Sequence, residues 1–187
     1  MPAQPSMPAN IAWDAKSRDE GREFSHETPA GGGSGNFVMN REEKLEWART
    51  LLAEVSTLTI CSVDEAGMPA SAPLFFLADN DLTLYWLSDA QSQHSRNLVC
   101  RSQAAVSVYR STHDWKQIRG LQMRGSAAAV EDAARRKAIQ ALYCERFQLG
   151  RIFELALLKS TLYSFRPTHL HAVDNTRHFG WKFDLDL

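Results

Sequence analysis

The sequence predicts a mainly β, α+β fold: a small antiparallel barrel, closed or half-closed, with two or three peripheral helices. Two observations support this. Six or seven short runs with strand character follow one another with tight turns between them, and few segments show helical spacing of apolar residues. The 187 residues correspond to about one domain at roughly 150 residues per domain. No GxGxxG, GxxxxGK or GxSxG motif is present, so Rossmann, P-loop and α/β-hydrolase folds have no support.

Composition excludes several classes of protein. With 44% hydrophobic and 23% charged residues, the chain is neither fibrous nor wholly disordered. The net charge of −1 argues against a nucleic-acid partner, and no apolar run reaches the ~18 residues that a membrane span needs. Cys61, Cys100 and Cys144 are widely spaced and form no CxxC pair, so we expect buried structural thiols in a cytoplasmic protein.

The first 36 residues differ from the rest of the chain. They hold five of the 10 glycines and four of the 7 prolines, without any periodic apolar pattern. Such a segment buries too little apolar surface to offset its ordering entropy. The sequence therefore predicts a flexible tail over 1–36 and a folded domain over 37–187, with Met39 just before the first helix. A working role of the arm in capturing a partner is a further alternative.

The first half of the domain is predicted as one helix and three strands. Asn40 and Glu43 have the spacing of a capping box, and the apolar residues that follow indicate a helix over roughly 40–54. The strands are expected over 57–63, 68–78 and 82–87, with a turn at 64–67. Pro69 and Pro73 require the second strand to be an edge strand or to contain a bulge.

The second half continues the same pattern. It predicts a short helix over 92–101, strands over 103–110 and 116–130, a helix opened by Glu131 and Asp132, a helical stretch near 152–158, and strands over 161–165 and 169–173. The apolar side of the longer helix is Ile139, Leu142, Tyr143 and Phe147. Gly120 weakens its strand, which indicates either a flat ring packed against the backbone or a β-bulge.

Polar residues cluster where the third strand ends. Ser88 closes the strand, Ser92 occupies an N-cap position, and His94 and Arg96 follow in the first turn of the helix. Free N–H groups at a helix N-terminus, flanked by hydroxyls, form a site suited to a phosphate. The alternative is a plain capped helix with solvated polar residues.

Two histidines lie two residues apart on a predicted strand. His169 and His171 therefore point to the same face of the sheet. A metal pair is one interpretation, but the sequence offers no obvious third ligand, so no metal site is predicted.

These segments occur in the order of a known superfamily. Its pattern is present in Gly67-Met68-Pro69, in the run from Tyr85 to Ser88, in Ser92-Gln93-His94 and in Arg119 to Gly125. The pattern of one of its branches is present in Ile118 to Gly125 and in Asp174 to Gly180. From about residue 41 onward, the chain resembles the FMN-binding split barrels related to pyridoxamine 5′-phosphate oxidase, and most of all the uncharacterised YhbP-like branch. The resemblance implies an antiparallel split β-barrel.

The resemblance also implies a homodimer that binds FMN at the subunit interface and acts on a small molecule. Ser88, Ser92, Gln93 and His94 would hold the phosphate. The remaining residues that it places along the flavin are Ala72, Pro73, Leu74, Phe75, Leu87, Arg119, Gly120, Gln122 and Trp181. Catalytic residues are not identified, because the flavin carries the chemistry.

The chain departs from the family pattern mainly by losing cations. Ala72 and Leu77 occupy positions of an Arg and a Lys, His94 replaces a Lys, and Gly120 replaces a Gln. An Arg expected after Trp181 is missing as well. Oxidation of vitamin B6 is therefore not predicted.

The sequence leaves two functions open. The first is an FMN-dependent oxidoreductase of unknown substrate. The second is a non-catalytic module that stores or senses flavin, or that holds haem through His94, His169 or His171. A deazaflavin is a further alternative cofactor.

Overall fold

The computed structural model of the chain describes residues 39–149 and 159–187. The tail predicted over 1–36 and the helical stretch predicted near 152–158 lie outside these residues. The described elements are α1 (Arg41–Glu54), β1 (Thr57–Val63), β2 (Pro69–Phe75), β3 (Leu77–Ala78), β4 (Leu84–Ser88), α2 (Gln93–Cys100), β5 (Gln103–Tyr109), β6 (Arg119–Ala129), α3 (Ala133–Phe147), β7 (Thr161–Asp174) and β8 (Lys182–Asp186).

The strands form one antiparallel sheet in the order β2-β1-β5-β6-β7-β4-β3, and β8 pairs with β7 beside this path. β2 and β3 lie at opposite ends of the path, yet Phe76 alone separates them in the chain. The sheet therefore curls until its two ends meet at Phe76, which is fully buried. The result is a half-barrel with three helices in the described residues, and the prediction of an α+β split barrel is confirmed.

The core follows from the two-residue period of the strands. Directly paired residues on five neighbouring strands form a buried apolar row, namely Ile60, Val106, Met123, Leu170 and Leu185. Trp86 stacks on Tyr163 with ring centroids 5.8 Å apart and extends this core along β4 and β7. Burial of apolar surface, at about 25 cal/mol per Å², therefore fixes which face of each strand points inward.

Two predictions about β6 and β7 are corrected. The two strands predicted over 161–165 and 169–173 are one strand, because Pro167 is accommodated opposite Gly125, where the register of β6 and β7 shifts. A Cβ on Gly125 would lie 2.1 Å from the carbonyl oxygen of Arg166, so this close approach requires glycine. The bulge interpretation of Gly120 is wrong, since Gly120 pairs in register with Tyr109 and Val173.

Of the remaining predictions about local structure, some are confirmed and others are wrong. Asn40 and Glu43 form the expected capping box of α1, and β2, with its two prolines, lies at one end of the sheet. The short strand β8, whose Phe183 and Leu185 are buried, was not predicted from the sequence. The expectation of buried thiols is also wrong, because Cys61 and Cys100 are exposed on the outer surface. Within residues 39–149 and 159–187, every helix is too short or too polar to span a membrane.

Candidate functional site

The polar cluster predicted around Ser88 lies in the turn that connects β4 to α2. β4 pairs with β7 up to Ser88, which lies opposite Thr161 and ends the strand. Ser92 is the N-cap of α2, and its hydroxyl accepts a hydrogen bond from the backbone N–H of Ser95 at 3.4 Å. The strand-to-helix turn therefore brings two serine hydroxyls to a helix N-terminus, as predicted.

The imidazole of His94 lies between these hydroxyls. Its Nε2 is 2.8 Å from the Ser88 Oγ and 3.2 Å from the Ser92 Oγ. The Ser92 hydroxyl donates to the Ser95 Oγ at 2.8 Å. His94 is 8% exposed, and this burial lowers its pKa below the ordinary value of a histidine. The cluster therefore offers neutral hydrogen-bonding groups at pH 7 rather than a cation.

A second set of contacts fixes α2 against the barrel. Gln93 Nε2 donates to Asn97 Oδ1 at 2.8 Å, and Asn97 Nδ2 donates to the buried Ser62 Oγ on β1 at 3.1 Å. The Arg96 guanidinium donates to Gln93 Oε1 at 2.9 Å and to the carbonyl of Gln91. Three residues of this network were not predicted as site residues, namely Ser62, Ser95 and Asn97. The last two follow Ser92 and Gln93 at helical spacing, which was the available signal.

The predicted flavin-flanking stretch on β2 alternates between two environments. Ala72 and Leu74 pack against the core, whereas Pro73 and Phe75 point outward. Phe75 is 55% exposed, and its ring lies 5.0 Å from that of Phe147 on α3. As a whole, β2 contacts both α2 and β4, the two elements that carry the polar cluster. Leu87 packs in a smaller apolar cluster beneath α3.

Arg119 and Trp181 belong to a different cluster, centred on the buried carboxylate of Asp174. Arg119 Nε lies 3.4 Å from Asp174 Oδ2, and its guanidinium lies over the Trp47 ring at 5.5 Å. Trp47 Nε1 donates to Asp174 Oδ2 at 3.1 Å, and the Trp181 ring lies 6.0 Å from that of Trp47. Within one chain, neither Arg119 nor Trp181 joins the polar cluster at Ser88.

Gly120 and Gln122 also lie away from the cluster. Both are on β6, which β7 separates from β4 in the sheet. Gln122 is exposed on the outer face and is paired with His171. A Cβ at Gly120 would lie 3.2 Å from the Tyr109 Cβ and 3.2 Å from the Val108 carbonyl oxygen, which is a tight contact inside the sheet.

His169 and His171 point to the same face of β7, as predicted. Their Nδ1 atoms lie 2.8 Å from Asp186 Oδ1 and 2.9 Å from Asp184 Oδ1, respectively, both on β8. The hydrogen bond from His171 lowers the pKa of Asp184, which keeps that carboxylate charged. In the parts of the chain that the structure describes, no group of three or more His, Cys, Asp or Glu side chains is arranged to hold a metal ion.

Comparison with known proteins gives the chain a family and a fold. Residues 45–172 match the sequence pattern of the family described as pyridoxamine 5′-phosphate oxidase. A UPF0306 protein of Cronobacter sakazakii is 30% identical over 132 residues, which cover 70% of this chain and 87% of that protein. A UPF0306 protein of Photorhabdus laumondii is 21% identical over 144 residues, 77% of this chain and 96% of that one.

A solved structure shares the fold at lower identity. HutZ, the haem storage protein of Vibrio cholerae, superposes with a TM-score of 0.56 and 22% sequence identity. The similarity covers 64% of this chain and 87% of HutZ. At this identity the likeness establishes the split-barrel fold.

Proposed function

The chain belongs to the pyridoxamine 5′-phosphate oxidase family, and we propose that it binds FMN and acts as a flavin-dependent oxidoreductase on a small molecule. The observation that carries this proposal is the convergence of Ser88, Ser92 and His94 at the N-terminus of α2. Backbone N–H groups in the first turn of a helix have no intrahelical partner, and together with two hydroxyls they suit a phosphate. When bound, the flavin supplies hydride transfer.

The residues at the cluster fit a phosphate through hydrogen bonds. Ser88 and Ser92 hold the ring of His94 in place, so the imidazole is oriented before a ligand arrives. Burial keeps this ring neutral at pH 7, but a phosphate dianion beside it favours the protonated form. We therefore expect binding to take up a proton, which makes the affinity for FMN rise as the pH falls.

The residues on β2 would flank the ring system. Ala72 packs on the core and Leu77 is 4% exposed, so neither of these positions presents a cation to a substrate phosphate. This supports a substrate other than pyridoxamine phosphate. Since Arg119, Gly120, Gln122 and Trp181 lie apart from the cluster within one chain, their part in the proposal depends on a homodimer with the cofactor at its interface.

The proposal is tested by absorbance of the protein as purified and by fluorescence titration with FMN. Ser88→Ala and His94→Ala are each expected to weaken FMN binding about tenfold, the equivalent of about 1.4 kcal/mol for a lost hydrogen bond to a charged group. Ser126→Ala and His113→Ala, both exposed and outside the cluster, are matched controls. A colourless wild-type protein that leaves FMN fluorescence unchanged at micromolar concentration would refute the proposal.

Haem binding is the second candidate function, and one contact favours it together with the likeness to HutZ. Asp184 holds Nδ1 of His171 at 2.9 Å, which orients the ring and leaves Nε2 for an iron ligand. His94 Nε2, in contrast, is already hydrogen-bonded to two hydroxyls. A Soret band that appears on haem addition, is lost in His171→Ala and is retained in His113→Ala would support this function. The absence of the band in wild-type protein would dismiss it.

A further inference from the structure

The outer face of the sheet carries two rows of side chains that are polar except for Ala105. The strand register places residues of β1, β5, β6, β7 and β8 directly opposite one another. The side chains of residues paired in this way lie on the same face of the sheet. The first row is Cys61, Ala105, Arg124, His169 and Asp186, and the second is Thr59, Ser107, Gln122, His171 and Asp184. We call these the outer rows. On each of these strands, the residue of the buried apolar row stands between the two residues of the outer rows, and its side chain points to the opposite face of the sheet.

A cavity of about 410 Å³ lies over the middle of the outer rows. Its polar lining is Cys61, Ser107, Gln122, Arg124, His169 and His171, and its apolar contribution comes from Ala105, Val106 and Met123. Pockets of roughly 300–1,000 Å³ with a few convergent polar groups are typical of small-molecule sites. No residue of β4 or α2 lines this cavity, so it is separate from the polar cluster at Ser88.

The basic side chains that line the cavity differ in whether they have an acidic partner. The two histidines are tied through Nδ1 to Asp186 and Asp184, which lie on β8 and do not line the cavity. Arg124 differs, because its guanidinium makes no hydrogen bond or ion pair with any residue in the described ranges. An arginine on a cavity wall presents several N–H donors in a fixed planar array that matches a carboxylate or phosphate.

We infer that this cavity binds a small organic oxyanion, a carboxylate or a phosphate monoester, with Arg124 as its charge partner. The neighbouring hydrogen-bonding groups for the rest of the molecule are the Gln122 amide, the Ser107 hydroxyl and the His171 imidazole. Asp184 stays charged because the hydrogen bond from His171 lowers its pKa, and it fixes the His171 ring. This inference goes beyond the proposed flavin function. Of the residues that line the cavity, Gln122 also belongs to the set proposed for the flavin, and His171 is the residue proposed for haem.

The exposed thiol of Cys61 reports on occupancy of the cavity. Cys100 is also exposed but lies at the end of α2, where its thiol donates to Glu65, so it serves as an internal control. The experiment measures the rate of alkylation of each thiol by N-ethylmaleimide with peptide mass spectrometry. Benzoate and phenyl phosphate are the probes, and benzyl alcohol is the neutral match. At about twice the dissociation constant of either anion, we expect about threefold protection of Cys61 and none of Cys100.

Variants assign the protection to Arg124. Arg124→Gln is expected to raise the dissociation constant of the anions at least about tenfold, as for loss of a charge-assisted bidentate contact, so that Cys61 is almost unprotected at the same anion concentration. Arg136→Gln, an exposed arginine on α3, is expected to leave it unchanged. A difference between benzoate and phenyl phosphate identifies which oxyanion the site prefers.

Several results would overturn the inference. They are an unprotected Cys61 with both anions, equal protection by benzyl alcohol, or undiminished protection in Arg124→Gln. Protection by haem but by neither anion would assign the cavity to haem instead. If Cys61 fails to react with N-ethylmaleimide even when no ligand is present, a second copy of the chain covers this face. FMN binding is measured separately, so the flavin proposal survives or fails on its own data.

Discussion

The cluster at Ser88 and the cluster at Asp174 are both polar and both partly enclosed, yet they differ in how completely their groups are paired. Asp174 is 2% exposed and accepts from Trp47 Nε1 and from the backbone N–H of Thr176, while Arg119 neutralises it. The cluster at Ser88 contains no formal charge pair, and its hydroxyls share one imidazole nitrogen.

We expect this difference to separate a structural role at Asp174 from the proposed binding role at Ser88. A buried carboxylate needs all of its partners, and removing one leaves an uncompensated charge. Hydroxyls and a neutral imidazole lose little free energy when they exchange one hydrogen bond for another, so these groups are suited to bind a ligand. We therefore expect substitutions at Asp174 to affect folding and substitutions at Ser88, Ser92 or His94 to affect ligand affinity.

The largest expected effect is on stability at Asp174. Asp174→Ala leaves Arg119 and the Trp47 indole N–H without their buried partner, and it is expected to lower the free energy of unfolding by about 3–5 kcal/mol. Urea unfolding measures the change, with the exposed Asp81→Ala as control. If the alanine variant does not fold, Asp174→Asn gives the same comparison. A change below about 0.5 kcal/mol would contradict the structural role.

An intermediate effect is expected at the two helix caps. Ser92→Ala and Asp132→Ala each remove the N-cap of one helix, α2 or α3, and each is expected to cost about 1 kcal/mol of stability. Because only Ser92 also contacts His94, only Ser92→Ala is expected to weaken FMN binding, by about tenfold. Titration of both variants with FMN measures this. Equal affinities in the two variants would remove Ser92 from the site.

The smallest expected effect concerns the pH dependence of stability. Burial lowers the pKa of His94 in the folded protein, so below about pH 6.5 the unfolded chain binds the proton more readily. The contribution of His94 is therefore fully present above pH 6.5 and is lost as the pH falls. Between pH 7 and 5, the wild-type protein is expected to lose more stability than His94→Gln does. Parallel urea midpoints for the two proteins across this range would contradict the assignment, and His113→Gln serves as control.

Local signals in the sequence predicted local structure well. The capping box at Asn40, the N-cap at Ser92 and the turn before Gly67 depend on neighbours within four residues, and each is present. The continuity of β7 through Pro167 was not predictable, because it depends on pairing with Gly125 of β6, which lies about 40 residues away in the chain. The exposure of Cys61 was missed for a similar reason, since thiols carry no strong signal for either face of a strand.

By itself, the sequence determined the fold class, the family and the polar cluster between β4 and α2, because period-two patterning, turn residues and helix caps act over short separations. Only the tertiary structure decided which distant residues meet. Arg119 and Trp181 joined Asp174 rather than Ser88, and Arg124 joined His169 on the outer rows. Strand order and register set those neighbours, and they result from pairing among segments far apart in the chain, which no local pattern records.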